Sequence, residues 1–190
     1  MNEQDTRRSI LDAARAELDE AEDMDRVTMR KIAERAQVAV GLINYHFQSK
    51  EKLLSLAIGD VMSEKIAEFD RGEALRELPP VERLKALLRE LYALAEEKPK
   101  LIRFVLQQEL LNGNMQTALL LLPMLREVFG SRRDDMQLRL IALELLCPIQ
   151  VTALNIPAFH LYSGIDLNDP REQSRFIDLL VDELTKEVTT

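Results

Sequence analysis

The sequence holds one cysteine, Cys147, among 190 residues. A lone thiol forms no internal disulfide and builds no cysteine-based zinc site, and this usage fits a chain expected in a reducing cytoplasm. Glycine and proline are scarce, at six and seven residues, too few for the many turns of an all-β chain. Long apolar runs are missing as well. The longest, Ala118 to Leu125, contains Pro123 and falls far short of the roughly 20 residues a membrane-spanning helix needs. Arg7-Arg8 are followed by no apolar stretch, so neither a secretory nor a twin-arginine leader is expected, and no membrane partner. Basic charge is in deficit: 25 Lys and Arg stand against 33 Asp and Glu, a formal charge of −8. That balance favours solubility over nucleic acid for the chain as a whole, although local charge can oppose the total. Two widely spaced histidines and the single cysteine leave no nucleophile–base pair, metal cluster or phosphate-cradling glycine loop, so neither an enzyme nor a cofactor is expected.

What remains is helical period, with no strand pattern and no repeat. Apolar residues are 46% and charged residues 31% of the chain, a globular composition. Ile10, Ala13, Ala14 and Leu18 mark a first helix over Thr6 to Ala21, followed by the acidic run Asp19 to Asp25. Thr28 is an N-cap for a second helix, Met29 to Ala36. Gln37-Val38-Ala39 separate it from a third, Val40 to Phe47. Ser49 caps a long fourth helix carrying Leu53, Leu54, Ala57, Ile58, Val61, Met62 and Ile66, which Gly72 ends. Pro79-Pro80 and Pro99 open two more, the second stopped by Asn112-Gly113. A helix from Leu119 to Phe129 is expected to bend at Pro123. A long segment, Asp134 to Asn155, contains Pro148. His160 and Tyr162 read as a surface loop. Asp169, Pro170 and Glu172 form a capping-box start for a last helix with Phe176, Ile177, Leu180, Val181, Leu184 and Val188 on one face. The expectation is an all-α protein of about nine helices.

The stretch Thr28 to Leu54 departs from the rest. Two short helices about a three-residue turn have the helix-turn-helix layout, whose second helix can lie in the major groove of DNA. Here Arg30, Lys31, Arg35, Lys50 and Lys52 outnumber Glu34 and Glu51, against the sign of the whole chain, as a phosphate-binding face requires.

The residue order adds to this. Thr28, Arg30-Lys31-Ile32-Ala33, Ala36, Val38, Gly41, Asn44-Tyr45-His46-Phe47, Ser49-Lys50 and Leu53-Leu54, preceded by Ile10 to Ala14, resemble the DNA-binding segment of the tetracycline-repressor (TetR) family of bacterial regulators. The motif covers about a quarter of the chain. Three positions depart from the family pattern. Gln37 stands where glycine is usual in the turn, a cost of roughly 1–2 kcal/mol if held left-handed. Ala39 replaces a serine cap worth about 1 kcal/mol, and Asp23 replaces a glycine in a linker one residue longer than usual.

The resemblance implies a helix-turn-helix domain, residues 1–48, and a larger helical effector-binding and dimerisation domain, residues 49–190. By chemistry, Thr28, Tyr45, His46 and Lys50 can donate to phosphate, with Lys31 on the same basic face. Tyr45 and His46 have a packing role between the third and fourth helices as the alternative. Gly41 permits close approach to the duplex. Val40 and Leu42 can touch thymine methyl groups, Asn44 can pair with adenine, and Arg30 can reach a guanine or only the backbone. The family resemblance further implies a homodimer and a small-molecule effector of unknown identity. Candidate effector contacts are Met62, Tyr92, Phe104, Gln108, Leu119 and Gln150. The two glutamines sit on apolar stripes and need a partner, whether ligand, helix carbonyl or water. Candidate dimer contacts are Leu143, Leu154, Phe176, Leu180 and Leu184, a stripe that an internal core would also produce. The expected function is a ligand-responsive repressor on a palindromic double-stranded operator. An acidic helical protein-interaction module is the alternative.

Overall fold

The computed structural model describes residues 3–21, 26–97, 99–112 and 115–186, without the side chains at 70, 73, 74, 101, 112 and 116. Asp23, Gly113, Val188 and the side chain of Asn112, all used in the sequence reading, lie outside that description. Every regular element among the described residues is helical. In chain order they are α1 (Glu3–Glu20), α2 (Met29–Ala36), α3 (Val40–Phe47), α4 (Lys50–Arg71), α5 (Glu73–Arg76), α6 (Pro80–Glu97), α7 (Pro99–Asn112), α8 (Gln116–Leu120), α9 (Leu122–Phe129), α10 (Asp135–Leu154), α11 (Ile156–Ser163) and α12 (Pro170–Thr185). The surplus over nine comes from short pieces. Residues 73–76 form a single turn, and α8 and α9 are separate helices, because Pro123 starts a helix where a bend was expected. The expected loop holding His160 and Tyr162 is α11, closed by Gly164 at φ 75°.

The chain divides into two compact units, one of residues 1–65 with 100–114, the other of residues 66–99 with 115–190. In the first, α1, α2 and α3 surround Ile10, Ala14, Ile32, Ile43 and Phe47, with Leu53, Leu54 and Ala57 from α4, all buried. Ion pairs tie α1 to its neighbours. Arg35 of α2 donates to Glu17 at 2.8 Å and to Glu20 at 2.9 Å, and Arg15 donates to Glu64 of α4 at 2.8 Å.

The second unit has its own core, in which Leu84, Leu88, Leu121, Leu125, Phe129, Ala142, Leu145, Leu167, Ile177 and Val181 pack together. A charge ladder fixes the antiparallel register of α6 against α12: Lys85 meets Asp182 at 2.7 Å, and Arg89 meets Asp178. At α12, Asp169 caps the helix by accepting from the Arg171 amide, but Glu172 accepts from the Asp166 amide and leaves the expected box incomplete. The reciprocal box forms at α10 instead, where Asp134 and Gln137 each accept from the other's backbone amide. Pro148 is carried inside α10, and its carbonyl accepts from the Thr152 hydroxyl at 2.8 Å.

Candidate nucleic-acid interface

Local chemistry sets the presentation of α3. Thr28 Oγ1 accepts from the Lys31 amide at 3.3 Å and starts α2. That leaves the hydroxyl proton of Thr28 available to an outside acceptor. Gln37 ends α2 in the left-handed region, φ 54° and ψ 42°, and the Val38 amide reaches back to Ala33 O at 3.0 Å. The turn therefore keeps the shape that glycine would adopt, at the cost of holding a side chain at positive φ. Ala39 precedes α3 with no side-chain cap.

α3 is sorted cleanly into two sides. Ile43 and Phe47 are fully buried, whereas Val40, Gly41, Leu42, Asn44 and Tyr45 are exposed, Tyr45 to 73%. Exposure of Tyr45 removes the packing role weighed for it. His46 is half-buried and meets the Tyr45 ring edge-on, centroids 5.2 Å apart. Gly41 is not required by the fold. Its φ is not positive, and a β-carbon added there would have no atom within 4 Å.

The junction after α3 holds a feature that the sequence did not signal. Gln48 sits at φ 68° and ψ −43°, and the Ser49 amide donates to Phe47 O at 2.8 Å. This is a γ-turn of the strained, positive-φ kind. Lys52 Nζ braces it by donating to Gln48 Oε1 at 3.0 Å, and Ser49 Oγ accepts from the Lys52 amide at 3.1 Å to start α4. Lys50 is the first residue of α4 after this turn.

The basic count from the sequence thins on inspection. Arg35 faces α1 and is neutralised by Glu17 and Glu20, and Arg30 pairs with Glu34 at 2.9 Å. Lys31 is exposed and Lys50 half-buried.

The remaining candidates scatter. Met62 is buried, and Phe104 and Gln108 are half-buried, in the first unit; Tyr92 and Gln150 are buried in the second, and Leu119 is exposed there. Both glutamines have partners within the protein. Among these effector candidates the Tyr92 hydroxyl is buried without a hydrogen bond; burial, with Glu96 nearby, pushes its pKa up to about 12. Of the dimer candidates, Phe176 is corrected to core: it is 8% exposed and packs on the Phe159 ring at 5.3 Å. Leu143, Leu154, Leu180 and Leu184 are half-buried. The apolar surface that sequence reasoning missed lies on the outer side of α10, at Met136, Leu140, Cys147 and Val151.

Residues 10–57 match the family model described as bacterial regulatory proteins, tetR family. No curated protein matches the chain. Among solved structures, a TetR transcriptional regulator from Rhodococcus sp. RHA1 superposes with a TM-score of 0.69 at 20% identity, covering 94% of this chain and 97% of that one. The TetR-family repressor FadR of Thermus thermophilus, solved with lauroyl-CoA, gives 0.66 at 22% identity and 93% of each chain. FadR of Bacillus subtilis, solved with stearoyl-CoA, gives 0.51 at 19% identity, with 93% of this chain and 96% of that one. The fold thus extends over nearly the whole length, and within it residues 10–57 match the N-terminal domain of the tetR family of bacterial regulatory proteins.

Proposed function

We propose that the protein is a ligand-released repressor that reads a palindromic operator as a homodimer. The observation that carries this is the outward side of α3. Val40, Gly41, Leu42, Asn44 and Tyr45 are exposed together on a helix whose other side is sealed into the core. An exposed apolar and amide face of this kind has no use within the chain and suits base edges and methyl groups in a major groove. Asn44 reads a base, and Val40 and Leu42 meet thymine methyls. Thr28, Lys31, Tyr45, His46 and Lys50 hold phosphates, and Arg30 leaves Glu34 for the backbone. One module grips few phosphates, so a two-fold pair on half-sites about 34–36 Å apart supplies the rest.

The effector enters the second unit, where the unpaired hydroxyl of Tyr92 asks for an acceptor. Its binding is carried by α4, whose residues belong to both units. Two proteins of the same fold were solved with fatty acyl-CoA esters, which makes that class the first to titrate. Emptying the operator from 99:1 bound to 1:99 asks for roughly 10⁴-fold differential affinity of the effector for the two states.

Selection of binding sites from random duplex DNA tests the reading. An enriched two-fold symmetric site is expected. Asn44→Ala then alters preference at one position per half-site, whereas Lys50→Ala weakens binding to every sequence alike. A protein that enriches no duplex and instead binds an acidic protein with strong salt dependence belongs to the interaction-module alternative.

A further inference from the structure

The guanidinium of Arg7, on the first turns of α1, lies over the ring of Phe47 with its central carbon 5.4 Å from the ring centroid. Phe47 is the last residue of α3 and is fully buried. Arg7 itself is exposed. The His46 ring lies 6.2 Å from the Phe47 ring, and Tyr45 lies edge-on to His46. Tyr45, His46, Phe47 and Arg7 therefore run as one chain of contacts from the exposed side of α3 to a cation contributed by a different helix.

The charge state of that cation sets it apart from its neighbours. Arg15 is paired with Glu64, Arg30 with Glu34, and Arg35 with Glu17 and Glu20. Among the described residues no carboxylate pairs with Arg7. Stacking on an aromatic ring fixes a guanidinium in place without neutralising it. A full positive charge is thus held still at the end of the reading helix, in a chain whose net charge is −8. Arg8, its chain neighbour, makes no such ring contact among the described residues, and its charge acts on Glu64.

We propose that Arg7 is an additional phosphate anchor, contributed by α1, that grips the operator backbone beyond the C-terminal end of α3. The proposal rests on the reading of α3 as the DNA-reading helix. It differs in placing a contact outside the helix-turn-helix segment. The phenyl ring of Phe47 is the platform, and the guanidinium keeps its planar N–H fork free to bind two oxygens of one phosphate.

The test is the salt dependence of operator binding, measured by fluorescence anisotropy for the wild-type protein and for Arg7→Gln. Each phosphate contact contributes about 0.9 to the slope of log K against log salt. Arg7→Gln is expected to lower the slope by about 0.9 per protomer, close to 2 for a pair, and to weaken specific and non-specific DNA by similar factors. Its melting temperature stays near that of the wild type. An unchanged slope with a lowered melting temperature overturns the proposal, because it makes Arg7 only a cover for Phe47. In the unmutated protein, operator DNA is expected to shield Arg7 from an arginine-specific dicarbonyl reagent, read by mass spectrometry, while Arg8 stays reactive. Arg7 modified equally with and without DNA also overturns it, whether or not the variant folds. A wild-type protein that binds no duplex removes the underlying reading, an outcome distinct from wild-type binding with an unshifted slope.

Discussion

At the scale of single residues, Gly41 tests whether a position is shaped for something outside the molecule. Glycine in a helix is disfavoured by up to about 1 kcal/mol relative to alanine, and nothing inside this chain asks for it, since an added β-carbon meets open space. Gly41→Ala should therefore raise or preserve the thermal stability of the free protein while weakening operator binding tenfold or more. Opposite signs in the two measurements identify a surface shaped for close approach. A variant that is more stable and binds DNA as before places the glycine away from the duplex. The exposed residues of α3 were legible because a short amphipathic helix has two sides and the buried one is easily recognised. Gln37 was legible too, since the family pattern marks the one position where the turn needs positive φ. Gln48 was not. Its strain, of order 1–3 kcal/mol for such a conformation, arises where two helices meet at a fixed angle, and no residue type announces that. Arg7 was equally silent: the adjacent arginines raised only the question of a leader, and the contact with Phe47 joins residues forty positions apart.

Helices were found where caps and glycines punctuate the chain, and what escaped was which side chain answers which. The box at α12 is open because Glu172 serves the Asp166 amide, while the box at α10 uses Gln137, a residue that carries no charge to draw notice. Long-range pairing escaped for the same reason, since spacing along one helix says nothing about its neighbours. The ties on α1 make this testable. Hydrogen bonds from Arg35 hold the Glu20 carboxyl below its ordinary value of 4.5, and hydrogen bonds from Arg15 do the same for Glu64. A carboxyl whose pKa is depressed in the folded state stabilises it above the unfolded value and loses that contribution as pH falls through the folded one. Comparison of the wild type with the double variant Glu20→Gln, Glu64→Gln should accordingly show a gap in melting temperature near neutral pH that narrows as pH falls below the ordinary value of 4.5. Both pairs are exposed, so the gap is small and shrinks with added salt. A gap of equal size at pH 6 and pH 3 assigns the loss to packing of the side chains and removes the ion pairs as its cause.

For the whole molecule the informative element is α10. Its 20 residues have a mean hydropathy of 1.4 over the best window, high enough by length and composition for a membrane span, yet only 39% of that window is buried in one chain. Leu138, Ala142, Leu145 and Leu146 fill the core, and that accounts for one side. Met136 is 73% exposed, Leu140 55% and Val151 50%, with Cys147 also exposed, on the opposite side. Exposed apolar side chains gathered on one side of a helix suit contact with a partner. In the proposed homodimer a second copy would cover this side, each α10 against the other about a two-fold axis. Leu140→Glu tests this without disturbing the core, since that side chain is more exposed than not in a single chain. In a dimer, symmetry would seal two carboxylates into one apolar interface, at a cost of several kcal/mol for each charge left unpaired. Sedimentation should then show a folded monomer, and binding to the palindrome should fall to that of an isolated half-site. A Leu140→Glu protein that still sediments as a dimer moves the interface to another face, and a wild type that is monomeric at every concentration leaves the outer side of α10 without the partner argued for it.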